Sequence, residues 1–192
     1  MSILDARKIG LVAFFTSLTA VLAQITIYLP LTPIPITLQT LAVVLSGIIG
    51  GAVVGFLSQA MYIALIMFGL PLAAGFKGGL AVLLGPTAGF LYGFPIASTL
   101  SGLIGFRSKS RFRMFLASIL GVFAVYPTGF LWLNLVYNVK SELAIVGLLP
   151  FIPGDVVKAV IASEIAYRVK KLSLFSKSTE SSKPKYFSYS SS

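Results

Sequence analysis

The sequence predicts an all-α integral membrane protein with six transmembrane helices. Three observations carry that expectation. Of the 192 residues, 57% are hydrophobic and only 10% are charged, whereas soluble domains carry about 25% charged residues. The apolar excess runs from about Ile9 to about Val169 rather than sitting in one anchor segment. Finally, most basic residues fall into three groups that six crossings place on one side of a membrane.

A crossing helix needs about 20 apolar residues. The first is Ile9 to about Tyr28. Its "VLA" at Val21–Ala23 faintly resembles a signal-peptidase site, but the apolar run is longer than a signal peptide's, so the span is read as retained. "LPLTPIPIT", Leu29–Thr37, follows as an apolar loop, because its three prolines remove backbone donors and favour extended conformations. Leu38–Ile49 has about 12 residues and covers about 18 Å as a helix, too short to cross alone. The loop before it is therefore expected to complete the crossing where it lines a cavity or is buried in protein. Gly50-Gly51 predicts a tight turn and Ala52–Gly69 the third span. "LPLAAGFKGG", Leu70–Gly79, is a glycine-rich loop. The fourth span is Leu80–Phe106, bent at Pro86 and Pro95. "RSKSRFR", Arg107–Arg113, is a basic loop. Met114–Tyr137 is the fifth span, and Leu143–Val169 the sixth. Residues 1–169 thus form the membrane domain, and 170–192 a basic, Ser-rich tail expected to be disordered.

Twelve of the fifteen basic residues fall before span one, between spans four and five, or after span six. The positive-inside rule then places both termini in the cytoplasm of a multi-pass protein of the cell membrane. The net charge of +10 reads as a topology signal rather than a nucleic-acid footprint. The proline loop and the "FKGG" loop become external.

The composition also narrows the chemistry. There is no cysteine and no histidine, which removes thiol chemistry, the commonest metal ligand and the commonest general base. The five acids are Asp5, Glu142, Asp155, Glu164 and Glu180, and of these Asp155 alone lies deep in an apolar stretch. An enzyme or a metal site is disfavoured. No G-x-x-x-x-G-K-[ST] motif is present, so ATP-driven transport needs another chain.

"FIPGDVVKAV", Phe151–Val160, is the most telling segment. A charge at mid-helix in a bilayer costs about 2.5–3.5 kcal/mol on insertion scales and is a functional candidate by default. Asp155 and Lys158 share a helix face and offer acceptors and donors to one cavity. Pro153 frees a helix carbonyl, and Gly154 permits close approach to the backbone. Two other readings stay open: a self-neutralising pair that holds the bundle together, and Asp155 as a proton-relay carboxylate. Gln39 stands where it could line an external cavity. Gln59 and Tyr62 share a face of span three and could bond either a neighbouring helix or a ligand. Ala13 and Ser17 form a small-xxx-small pattern, suited to internal packing or to docking another membrane subunit.

Three stretches together, "PIPITLQTLAVVLSG" (Pro33–Gly47), "GLPLAAGFKGGLAVLLGPTAGF" (Gly69–Phe90) and "LPFIPGDVVKA" (Leu149–Ala159), resemble the BioY family, the biotin-specific S components of energy-coupling factor (ECF) transporters. The resemblance covers about Ala13–Val169. It implies a lipid-embedded six-helix bundle with an external gating loop after helix one. It implies biotin as transported substrate rather than cofactor. Its partners would be a transmembrane coupling subunit and two ATPase subunits. Asp155 and Lys158 would meet the ureido ring, Thr37 and Gln39 would belong to the gate, and the loop bearing Lys77, Gly78 and Gly79 would close the pocket. From residue type, Lys77 with Gly78-Gly79 is the candidate for the biotin carboxylate. The family's A-x-x-x-A docking motif becomes Ala13-x-x-x-Ser17, and its frequent "GPTGGY" becomes "GPTAGF", without a hydroxyl at position 90. The alternatives are an S component for another vitamin, a stand-alone transporter, a membrane-embedded enzyme and a structural subunit.

Overall fold

The computed structural model describes residues 5–28 and 34–181. Helix α1 (Ala6–Ala23) begins where the Asp5 side chain accepts the Lys8 backbone N–H at 2.9 Å, covering one of the amides a first turn leaves unpaired. Strands β1 (Thr26–Ile27) and β2 (Ile36–Thr37) pair antiparallel, Thr26 opposite Thr37 and Ile27 opposite Ile36. The expected proline loop therefore rests on a hairpin base. Its first part, Leu29–Pro33, lies outside the described residues.

Helix α2 (Gln39–Gly50) has 12 residues and α3 (Ala52–Met67) has 16. Gly51 makes the turn between them with φ 88°, a conformation that favours glycine. Among the described residues, three helical segments are long and apolar enough to cross a membrane, or four if one bent pair counts as a span. Large apolar side chains such as Phe14, Leu103, Phe112, Leu135 and Leu143 are exposed around the outside, as a lipid-facing surface requires. The chain is a multi-pass membrane protein.

The later spans are less continuous than the sequence suggests. The fourth is a short helix α4 (Leu80–Leu84) and a long α5 (Ala88–Gly105). Gly85-Pro86 breaks it outright, because proline cannot donate and Gly85 is extended. The carbonyls freed at the end of α4 are capped by side chains: Tyr92 Oη donates to Leu83 at 2.7 Å, Tyr137 Oη to Leu84 at 2.7 Å and Trp132 Nε1 to Gly85 at 2.9 Å. Pro95 sits inside α5 without ending it. The fifth span is α6 (Arg111–Phe123) and α7 (Val125–Leu135) with Ala124 between them; together Arg111–Leu135 is long and apolar enough to cross as one segment, with Pro127 in the first turn of α7. The sixth divides at Leu149-Pro150 into α8 (Ser141–Leu148) and α9 (Phe151–Ser181), which meet at 48°. "PGDVVK" is thus at the start of a helix, beside the break in the span, rather than at mid-helix. Pro153 falls in the first turn, where its missing N–H would have had no helical partner. A Cβ on Gly154 would meet nothing within 4 Å, so no part of the described chain approaches there. Helix α9 carries on beyond Val169 to Ser181. Lys170 anchors it, donating to the carbonyls of Gly105 at 2.6 Å and Phe106 at 2.8 Å. The rest of the expected disordered tail lies outside the described residues.

Helix α5 is the centre of the bundle, packed by α2, α3, α6 and α7. Small residues permit that closeness. A Cβ built on Gly47 of α2 would lie 2.0 Å from the Ser98 carbonyl oxygen of α5. Gly47→Ala should therefore force α2 from α5 and lower the melting temperature of the purified protein in detergent, since overpacking costs about 1–3 kcal/mol. Gly10→Ala, where a Cβ meets nothing within 4 Å, should not lower the melting temperature, and the better helix propensity of alanine should raise it slightly if anything.

Candidate binding site

A cavity of about 410 Å³ opens among the helix breaks. One wall is the β2–α2 junction with Thr37, Gln39 and Thr40. The turn Ala73–Gly78 and the α4–α5 break form a second, and the starts of α7 and α9 close the third. Phe90, Leu91, Phe94, Leu148 and Phe151 give it apolar surface.

Asp155 and Lys158 occupy the first turns of α9, are 4% and 6% exposed, and line the cavity. Burial in a low-dielectric interior makes each ion dependent on partners. They form an ion pair through Asp155 Oδ1, and Tyr126 Oη of α7 donates to Asp155 Oδ2. Lys158 Nζ also donates to the Thr37 carbonyl at 2.9 Å, tying α9 to the hairpin. The Thr37 hydroxyl donates to Gln39 Oε1 at 3.0 Å, Gln39 Nε2 to Tyr62 Oη at 2.6 Å, and Tyr62 Oη to the Leu72 carbonyl at 2.9 Å. A series of hydrogen bonds thus links the ion pair, through Thr37, Gln39 and Tyr62, to Leu72 beside the turn that carries Lys77. Gln24 at the end of α1 pins the same turn, donating to the carbonyls of Leu72 and Ala73 at 3.2 Å and accepting from the Phe76 N–H at 3.0 Å. An Ala73–Lys77 bridge closes the turn. Lys77 is exposed at the cavity rim.

Of the residues singled out from sequence, Asp155, Lys158, Thr37, Gln39, Lys77 and Gly78 come together on this cavity. Gln59, Tyr62 and Gly79 do not line it. Gln59 is fully buried and donates to hydroxyls of Thr19, Ser46 and Ser58 at 3.2–3.3 Å, joining α1, α2 and α3. Tyr62 stands behind the wall and holds Gln39. Gly79 begins α4 with φ 84°. Glu164 is engaged away from the cavity with Arg111 at 3.3 Å and Arg168 at 2.7 Å, and so does not extend a proton path from Asp155. On α1, Ala13 and Ser17 are exposed, whereas Thr16 is buried with its hydroxyl on the Ser58 carbonyl at 2.9 Å. Ala13 and Ser17 therefore face outward rather than packing inside the bundle.

Sequence reasoning missed Tyr126 and Thr40. A tyrosine or threonine in an apolar helix carries little signal. The helix break beside Tyr126, marked by Pro127, was the available clue.

A buried acid–base pair on the wall of an apolar cavity in a membrane bundle has the chemistry that a membrane-embedded receptor for a small polar-headed solute requires. Comparison with known proteins agrees in class and adds a family. The sequence model of the BioY family matches residues 1–174, and the chain belongs to that family. It is 41% identical over 167 residues to the probable biotin transporter BioY of Pyrococcus horikoshii, covering 87% of this chain and 98% of that protein. It is 40% identical over 168 residues to the biotin transporter BioY of Thermotoga maritima, covering 86% and 97%. The crystal structure of the S-component for biotin from an ECF-type ABC transporter superposes with a TM-score of 0.79 at 28% identity, covering 88% of this chain and 95% of that one.

The ion pair can be tested without any ligand. Lys158→Met alone should strand Asp155 as a buried charge and destabilise the protein by about 3–5 kcal/mol. Adding Asp155→Leu should restore most of that loss, as read by thermal unfolding in detergent.

Proposed function

We propose that this chain is the substrate-capturing S component of an ECF-type uptake transporter, and that its substrate is biotin. The observation that carries this reading is the Asp155–Lys158 pair on the wall of a cavity sized for one small molecule, in a chain of the BioY family. The ureido group of biotin has two N–H donors and one carbonyl acceptor. A carboxylate suits the donors and an ammonium suits the carbonyl. The apolar rings suit Phe90, Phe94 and Phe151.

In this reading the six crossings are α1, the hairpin with α2, α3, the α4–α5 pair, the α6–α7 pair and the α8–α9 pair. Both termini are cytoplasmic, as the basic residues favour. The hairpin loop and the Ala73–Gly78 turn are the external gates. Lys77 and Gly78 receive the valerate carboxylate. The exposed face with Ala13 and Ser17 docks a transmembrane coupling subunit, which two ATPase subunits drive.

Purified protein in detergent should bind biotin, and excess thiamine or riboflavin should not displace it. Displacement by either would redirect the assignment to another vitamin. Asp155→Asn should lower biotin affinity by about 1.5–3 kcal/mol, the worth of a hydrogen bond to a charged group. Unchanged affinity in a folded variant counts against the ureido site. Lys77→Ala should weaken biotin more than it weakens biotinol, which lacks the carboxylate. Equal losses reject the carboxylate role.

A further inference from the structure

Thr40 lines the cavity and is only 9% exposed, and its hydroxyl oxygen is buried with no hydrogen-bond partner among the protein's own groups. Several hydroxyls elsewhere in the bundle are occupied by their own helix. Ser46 donates to the Val43 carbonyl at 2.6 Å, Thr99 to Pro95 at 2.7 Å and Ser101 to Ala97 at 2.7 Å. Thr40 stands second in α2. The carbonyls three and four residues before it, Thr37 and Ile36, therefore belong to β2 rather than to a helical turn. The Thr37 carbonyl already accepts from Lys158 Nζ. Among the described residues, Ser118 of α6 is the other buried hydroxyl without a partner, but it does not line the cavity. An unpaired buried hydroxyl is unfavourable, and on a cavity wall a ligand is a group able to complete it.

We propose that Thr40 is a substrate-binding residue whose hydroxyl donates to the ureido carbonyl of the ligand, next to Lys158. This rests on the biotin reading above. The Thr37 carbonyl that holds the ammonium lies three residues before Thr40 in the chain, and Thr37, Thr40 and Lys158 all line the cavity. Lys158 has three N–H groups, and two are engaged by Asp155 and Thr37. The third is available to one lone pair of a ureido carbonyl. The second lone pair of that carbonyl is then met by Thr40. Each Asp155 oxygen, although engaged by Lys158 or Tyr126, keeps accepting capacity for a ureido N–H. The ring would be held at its carbonyl by two donors and at its N–H edge by one carboxylate.

The test titrates the wild type, Thr40→Val and Thr40→Ser with biotin and with desthiobiotin, which keeps the ureido ring but lacks the ring sulfur. Melting temperatures are measured without ligand. Thr40→Val should bind both ligands about tenfold more weakly, equivalent to about 1.4 kcal/mol. Thr40→Ser should bind like the wild type. Ligand-free Thr40→Val should melt no lower than the wild type, because it replaces an unpaired hydroxyl with a methyl of the same shape. Equal affinity of Thr40→Val and wild type overturns the proposal while leaving the biotin reading intact. So does a loss for biotin that vanishes with desthiobiotin, which would put the hydroxyl on the sulfur. A lower ligand-free melting temperature for Thr40→Val also overturns it, since the hydroxyl would then serve the fold. If the wild type itself fails to bind biotin, the substrate reading falls, and the ureido contact falls with it.

Discussion

Lys158 is the group on which the arrangement turns. An ammonium in the interior of a lipid-embedded bundle must be surrounded by acceptors, and its acceptors here come from two ends of the chain. Asp155 is one turn away on the same helix. The Thr37 carbonyl is 121 residues distant in sequence. One side chain therefore holds the last helix against the first hairpin. That hairpin sets where α2 begins, and so where Gln39 and Thr40 stand. Tyr126 closes the other side by satisfying the second carboxylate oxygen, which brings α7 to the same point.

A second constraint decides where the cavity can be. Within a bilayer every interrupted helix exposes backbone groups that water cannot reach, so irregular backbone is confined to protein-buried or cavity-lining places. The β2–α2 junction, the Gly85–Thr87 break, the start of α7 and the start of α9 all open onto the cavity. At the α4–α5 break, Tyr92, Trp132 and Tyr137 supply the missing donors. The cavity is the space that these interruptions make together, and their turns deliver side chains to it that a continuous helix would have pointed along its own wall.

Much of this was legible in the sequence, because hydropathy reports lipid contact and a charge in lipid is conspicuous. Asp155 and Lys158 stood out for that reason, and so did the proline loop, whose flanking helix was too short to cross alone. The breaks were harder to see. Residues on both sides of Ala124 are equally apolar, so hydropathy reads α6 and α7 as one span. Pro86 announces a disturbance but does not distinguish a bend from a break. Polar residues were ambiguous in the same way. Gln39 and Gln59 look alike in sequence, yet one lines the cavity and the other joins three helices, because only packing decides which neighbour a buried amide meets. Thr40 was invisible, since a threonine at the start of a helix is ordinary until its hydroxyl is found without a partner.

The turn at Ala73–Lys77 is fastened from two directions, by Gln24 of α1 and by Tyr62 of α3. It therefore cannot swing outward as a floppy flap. Release would need several neutral hydrogen bonds to yield together, each worth about 0.5–1.5 kcal/mol net. If that turn is the doorway proposed above, opening it would be a concerted unlatching in which α1 is one of the jambs, and a strain applied along α1 from outside the bundle would reach it.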